Sequence, residues 1–223
     1  MQPHSHARRR RITPLIAVAG LLSAALLATA TTGVLSGFTA SINNSTNTIS
    51  TGTLLMQETG QSFTCLSTAS TSQIGANAGT CATINKFGLA NTLSVPGSSY
   101  ATTIGIKNIG SVAANTFTLT PSACTQTVPA AGTGSDTGFC ARVLISIEDD
   151  TTTPSCVLGG TAGSACPATP TATLSSWATA LNLGTVAAGT TKTYKFNVMI
   201  SAAADNTDQG LAASEPLLWA FAS

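Results

Sequence analysis

Six cysteines are the residues whose type and spacing carry the most specific chemistry in this sequence. Thiols form disulfides, bind metal ions or act as nucleophiles, and counting alone leaves their pairing open. Three consecutive pairs each bracket a loop rich in Gly, Ser, Thr and Ala, and closing a loop of about 15 residues stabilises a fold by about 3 kcal/mol. We therefore predict structural disulfides in sequential order: Cys65 with Cys81, Cys124 with Cys140, and Cys156 with Cys166.

A metal site is the alternative for these cysteines. Zinc sites use C-x-x-C pairs and histidine, yet no two cysteines have that spacing, and His4 and His6 are the two histidines of the sequence. The sequence also contains neither H-E-x-x-H nor G-x-S-x-G, the motifs of zinc peptidases and of serine hydrolases. We predict no catalytic residue, no metal centre and no cofactor, so the protein is not expected to be an enzyme.

Two other kinds of chemistry stay open. A Ser–Lys dyad is one, although we expect the lysines to be solvated strand residues: Lys86, Lys107, Lys192 and Lys195. Calcium binding is the other, because Glu148–Asp150 and Asp205–Asp208 supply the hard oxygen ligands that Ca²⁺ prefers. Asp and Asn also favour turns, which gives both acidic groups a purely structural interpretation.

The N-terminus has the three parts of an export signal. Arg8–Arg11 is a basic region, Pro14–Ala28 is apolar, and Ala28–Ala30 resembles an A-x-A cleavage site. We predict a signal helix over residues 1–30, cleaved after Ala30, and a single domain over residues 31–223. An uncleaved anchor is the alternative, but the apolar run is short for a membrane span.

Export changes the charge of the chain. Without residues 1–30, five lysines and arginines remain against eight acidic residues, a formal charge of −3, and no histidine remains. No basic patch is left for nucleic acid. We therefore predict a secreted or extracellular protein, with association with the cell surface as the alternative. Its predicted partner in processing is a signal peptidase, and it meets the membrane only through its signal segment.

Apolar residues recur with a period of two along most of the exported chain, which is typical of strands with one buried face. The predicted core residues are Tyr100, Thr102, Ile104, Ile106, Phe117, Leu119, Val143, Ile145, Ile147, Tyr194, Phe196, Val198, Ile200, Leu217, Trp219 and Phe221. Thr173–Leu181 is the one helix candidate in this region. Short strands punctuated by Gly and Pro predict an all-β fold, an antiparallel β-sandwich that is jelly-roll-like, with long disulfide-closed loops; an immunoglobulin-like Greek key is the alternative.

The exported chain begins with a hairpin-like stretch that contains no charge. Two alternating segments, GFTASI (Gly37–Ile42) and TISTGTL (Thr48–Leu54), flank a bend of Asn and Ser. Phe38, Ala40 and Ile42 share one face of the first segment. A neutral, alternating strand of this kind is suited to complete the open edge of a sheet, in its own sandwich or in that of a neighbour.

An ordered set of motifs resembles the TasA/camelysin family of exported proteins. After the signal come GFTASINNSTNTISTGTLLM, IGIKNIGSVAANTFTL, LGTVAAGTTKTYKFNVMI and DNTDQGLAASEPLLWAF, in an order that extends along essentially the whole chain. The resemblance implies a jelly-roll sandwich, removal of the signal by a SipW-type signal peptidase, and a role in fibres of the biofilm matrix. The camelysin members carry a metallopeptidase label. Six cysteines and a low charge content depart from the family pattern and suggest a disulfide-containing, actinobacterial-type variant.

Three functions follow from these observations. The first is a secreted, non-enzymatic structural protein that forms fibres or extracellular matrix by β-strand addition, through self-association or with cell-surface and matrix components. The second is an immunoglobulin-like or lectin-like binding or adhesion module, for which Trp177 is the best candidate for an exposed aromatic residue. The third is a camelysin-like peptidase, which lacks the histidines it would need.

Overall fold

A computed structural model of the protein describes residues 49–68, 79–88, 95–130 and 132–223. Residues 51–223 form one compact unit. The predicted signal helix, the cleavage at Ala30, the domain boundary that follows it, and the segment with Phe38, Ala40 and Ile42 lie outside the described residues. Within the described residues, no helix has the length and apolar character needed to cross a membrane.

The regular secondary structure of the described residues consists almost entirely of strands. In chain order they are β1 (Met56–Gly60), β2 (Phe63–Leu66), β3 (Ser99–Asn108), β4 (Thr116–Pro121), β5 (Thr125–Thr127), β6 (Val143–Asp149), β7 (Ser155–Leu158), β8 (Ala172–Thr173), β9 (Leu181–Asn182), β10 (Thr191–Ile200), β11 (Ala212–Ser214) and β12 (Leu217–Ala222). Two short 3₁₀ turns, η1 (Phe139–Ala141) and η2 (Asn206–Asp208), complete the set.

These strands form three antiparallel sheets. The largest has seven strands in the order β2-β1-β3-β10-β6-β7, with β8 also paired to β6. A three-stranded sheet has the order β12-β4-β9, and β11 pairs with β5 in a two-stranded sheet. All pairings between these strands are antiparallel. The all-β antiparallel sandwich predicted from the sequence is confirmed.

The core lies between the large sheet and the three-stranded sheet. Alternate residues of β3 and β10 are buried, as the period of two predicts, and they meet Phe117 and Leu119 of β4. β6 buries its predicted inward residues as well, together with Ser146 and Glu148 on its other face. Aromatic rings join the two sheets: Trp219 of β12 lies 5.5 Å from Tyr194 and 6.1 Å from Phe196, both on β10, measured between ring centroids. Such edge-to-face and tilted ring pairs add to the free energy of burial.

The three disulfides have the predicted sequential pairing: Cys65–Cys81, Cys124–Cys140 and Cys156–Cys166. Each closes a loop within a chain that has few charged residues. Disulfides persist in oxidising compartments, so three of them indicate an extracellular environment.

Two predictions of local structure are wrong. The helix candidate Thr173–Leu181 is a turn after the short strand β8: the Ser176 hydroxyl donates to the Thr173 carbonyl at 3.0 Å, and the Thr173 amide donates back to that hydroxyl at 2.9 Å. Ser and Thr side chains compete with helix formation in this way. The strand predicted over Thr48–Leu54 is also wrong over its described residues, because regular pairing begins at Met56; Thr53 instead exchanges hydrogen bonds with Ser111.

Candidate functional site

A groove opens along one side of the sandwich, between the β1–β2 hairpin and β12. Its volume is about 450 Å³. Apolar residues form most of its lining: Leu54, Met56, Leu66, Leu217, Leu218, Trp219, Ala220 and Phe221. Cys65 and Cys81 add one disulfide to the wall, and Glu58 and Lys86 are the charged residues of the lining. A cleft of this size, apolar with a few polar groups, is typical of binding sites.

Both long sides of the groove are sheet edges. Among the described strands, β2 pairs only with β1, and β12 pairs only with β4. Among the residues that the structure describes, the sandwich is therefore open at this groove. Large apolar side chains flank this opening and remain accessible: Phe63 and Leu66 of β2 are 50% and 39% exposed, and Leu218 of β12 is 63% exposed.

The pairing of β12 with β4 shows which backbone groups point out of the sheet. The Ser122 amide donates to the Pro216 carbonyl, so Leu218 and Ala220, two and four residues further on, also bond to β4. Pro121, which has no amide hydrogen, lies opposite Leu217 in a pair that exchanges no hydrogen bonds. The N–H and C=O groups of Leu217, Trp219 and Phe221 therefore point away from β4, toward the open edge.

A buried polar cluster lies at one position of this apolar groove. The Lys86 ammonium is 2.7 Å from Glu58 Oε1, and their side chains are 11% and 9% exposed. The indole N–H of Trp219 donates to the same Glu58 oxygen at 3.1 Å and so ties β12 to β1. The expectation that Lys86 is a solvated strand residue is wrong: its ion pair with Glu58 lets it be buried outside any strand.

The wall that carries Lys86 is held by the turn of the β1–β2 hairpin. Gln61 and Ser62 have φ of 52° and 67°, the left-handed conformations of a two-residue hairpin turn. The Gln61 side chain donates to the Asn85 carbonyl at 2.8 Å and accepts from the Asn85 amide at 3.1 Å. These two bonds fix the segment around Lys86 against the hairpin.

The acidic groups predicted as calcium candidates have other contacts. In Glu148–Asp150, Glu148 accepts from the Cys166 amide at 2.6 Å, whereas Asp149 lies 3.4 Å from Lys192, which is therefore paired and only partly solvated. In the other group, Asp205 accepts from the Thr207 amide and Asp208 from the Asp205 amide, which caps η2. Within the described ranges, no three metal-ligating side chains lie together in an arrangement suited to a metal ion.

Hydrogen bonds, burial and one charged neighbour shift the pKa values of a few groups. Hydrogen bonds from the Thr207 side chain and amide lower the pKa of Asp205, and the Gly138 amide lowers that of Asp136. Burial raises the pKa of Glu215, just before β12, to about 7; neither of its oxygens has a hydrogen-bond partner among the residues that the structure describes. Burial also raises the pKa of Tyr194, with a further contribution from Asp149.

Trp177, the aromatic residue predicted to be exposed, is in the core. It is 4% exposed, and its indole N–H donates to the Thr179 carbonyl at 3.0 Å. Sequence reasoning missed Glu58 and Lys86, which come together with Trp219 across a separation of 161 residues between Glu58 and Trp219. The available signal was that opposite charges stand in apolar surroundings within a chain that has few charges at all.

In comparisons with protein-family models and with curated proteins, no family model and no curated protein matches the chain.

Proposed function

We propose that the protein is a secreted, non-enzymatic structural component of an extracellular matrix or fibre, and that its copies join by β-strand addition. The observation that carries the proposal is the open edge of β12 beside the groove. An extended segment that lies along β12 can bond to the outward N–H and C=O groups of Leu217, Trp219 and Phe221.

The energetics of the opening favour a strand as its occupant. Exposed edges are sites where another chain pairs, and natural proteins usually block them with charge, proline or a covering loop. β12 carries neither charge nor proline. An added strand would satisfy main-chain groups and cover Leu218 on one side and the apolar groove on the other.

The chain itself contains a segment with the right pattern. Gly33–Ile42 is neutral, and Phe38–Ile42 alternates between apolar and hydroxylated residues, which places Phe38, Ala40 and Ile42 on one face. Donation of such a segment from one copy to the next is a head-to-tail contact, which propagates into a filament. The motifs that resemble the TasA/camelysin family support the same kind of assembly.

The two alternatives have less support. A lectin-like or immunoglobulin-like binding module needs an accessible aromatic platform, and Trp177 is buried. A peptidase needs a base and a nucleophile or a metal; Lys86 and Lys192 are engaged with Glu58 and Asp149, and the sequence has no histidine after His6.

Electron microscopy of the exported protein at rising concentration tests the proposal. We expect filaments from the complete chain, and none after deletion of Thr31–Asn43. A Phe38→Asp/Ile42→Asp variant should fail in the same way, whereas Thr39→Ala/Ser41→Ala, which alters the opposite face, should assemble. Particles that stay monomeric at every concentration, or filaments that survive the deletion, would refute strand addition by this segment.

A further inference from the structure

Lys86 retains hydrogen-bonding capacity inside the groove. An ammonium group has three N–H donors. Within the described part of the chain, Glu58 is its one ion-pair partner, and the same Glu58 oxygen already accepts from Trp219. Both charged side chains line the groove, so a segment that occupies the groove can accept from the Lys86 donors and donate to the Glu58 carboxylate.

A strand that covers the groove also covers this cluster. Burying a donor without an acceptor is unfavourable, and more so for a charged donor. Leu54 and Met56 precede Glu58 at alternate positions and also line the groove, so its floor is apolar over one part and polar over the next. A strand that is apolar at every inward position therefore fits the apolar part and leaves Lys86 with unsatisfied donors.

We infer that the Glu58–Lys86 pair sets the register of the added strand by selecting a side-chain oxygen at one inward position next to a run of apolar residues. This inference rests on the proposed strand addition and names what the same groove recognises. Its occupant is the segment 34–44 of a second copy. That segment belongs to the 48 residues that precede the first described one, and the chain passes from there to Leu54 at the groove.

The sequence of this segment matches the requirement. Residues that share a face with Phe38, Ala40 and Ile42 follow at intervals of two, which places Ser36 before them and Asn44 after them. Three apolar positions are thus bounded by an oxygen-bearing side chain at each end. Whether the strand runs parallel or antiparallel to β12, one of the two oxygens falls beside Lys86 when the apolar residues lie over Leu54 and Met56.

The test compares how tightly three synthetic peptides of residues 34–46 bind to the exported full-length protein. Fluorescence anisotropy measures the binding. The first has the natural sequence, and the second is Ser36→Val/Asn44→Val. The third, Thr39→Val/Ser41→Val, makes the same chemical change on the opposite face. We expect the second peptide to bind at least about tenfold more weakly than the first, and the third to stay within about twofold of it.

Two protein variants show whether the cluster causes the difference. In Glu58→Gln/Lys86→Met the ammonium is gone while an acceptor for Trp219 is kept, and we expect the first and second peptides to bind alike. Lys192→Met, which breaks an ion pair outside the groove, should keep the full difference. The inference would be overturned if the second and third peptides lost affinity equally, or if the first and second peptides still differed in affinity for Glu58→Gln/Lys86→Met. Either result would leave strand addition itself standing. Failure of the natural peptide to bind at all would count against strand addition itself.

Discussion

Glu215 is a buried carboxyl group at the residue where β11 gives way to β12. It is 7% exposed, and neither oxygen has a hydrogen-bond partner within the described part of the chain. Burial disfavours the charged form and raises its pKa from 4.5 to about 7. In this window the folded protein holds a proton that the unfolded chain has released, so the free energy of unfolding falls as the pH rises from 4.5 to 7 and stays lower above it.

Replacing Glu215 therefore changes how stability depends on pH. At about 1.4 kcal/mol for each pKa unit, the wild type should lose about 2 to 3 kcal/mol between pH 4.5 and pH 8 through this group. Glu215→Gln should lack that part of the slope and be more stable than the wild type at pH 8. Urea denaturation over this pH range measures the difference, with Asp150→Asn as a control for an exposed acid. An unchanged slope in Glu215→Gln would show that this carboxyl is not the source.

The Glu58–Lys86 pair makes a prediction about single and double substitutions. Removing one partner leaves a nearly buried charge alone, which destabilises proteins by about 3 to 5 kcal/mol. Lys86→Met should therefore lower the free energy of unfolding strongly, and Glu58→Gln/Lys86→Met should recover at least half of the loss. Urea denaturation of the two variants gives the comparison. Equal loss in both would mean that the ion pair contributes through packing and not through charge.

At the scale of elements, the β1–β2 turn holds the groove wall with two left-handed residues that are not glycine. A side chain at positive φ costs about 1 to 2 kcal/mol, and the greater freedom of glycine in the unfolded chain offsets part of that. Ser62→Gly should therefore raise the free energy of unfolding by about 0.5 to 1 kcal/mol, measured by urea denaturation. Ser62→Ala keeps the side-chain clash and should bring no gain; a gain as large as that of glycine would exclude backbone strain as the cause.

The long strands were predictable because each buries one face over several residues. The alternation in β3, β6 and β10 identified the buried Ile104, Ile145 and Phe196, and loop length predicted the disulfide pairing. The pattern failed where it is short or where side chains bond locally. Trp177 follows a turn built by Thr173 and Ser176, and no periodicity indicates that such a turn folds back onto the core.

The groove could not be predicted because it depends on long-range placement. Glu58, Lys86 and Trp219 belong to a strand, an irregular segment and the last strand, and only the sheet order brings them together. The sequence did predict that Trp219 faces inward and that an N-terminal segment is suited to pair with an edge. That β12 lies at an edge follows only from the order of the described strands, β12-β4-β9.

At the scale of the whole molecule, we propose that a strand from one copy pairs with β12 of the next. The amides of Trp219 and Phe221 point to the open edge, whereas those of Leu218 and Ala220 bond to β4. Strand addition must therefore give new hydrogen bonds to the Trp219 and Phe221 amides and leave those of Leu218 and Ala220 unchanged. A contact between copies made through side chains alone does not predict this alternation along a single strand.

Residue-resolved hydrogen–deuterium exchange of monomeric and assembled protein directly measures the protection of these four amides. We expect the Trp219 and Phe221 amides to exchange fast in the monomer and slowly in the assembly, while the Leu218 and Ala220 amides are protected in both. Exchange of Trp219 and Phe221 at the same fast rate in the assembly as in the monomer would contradict strand addition at β12.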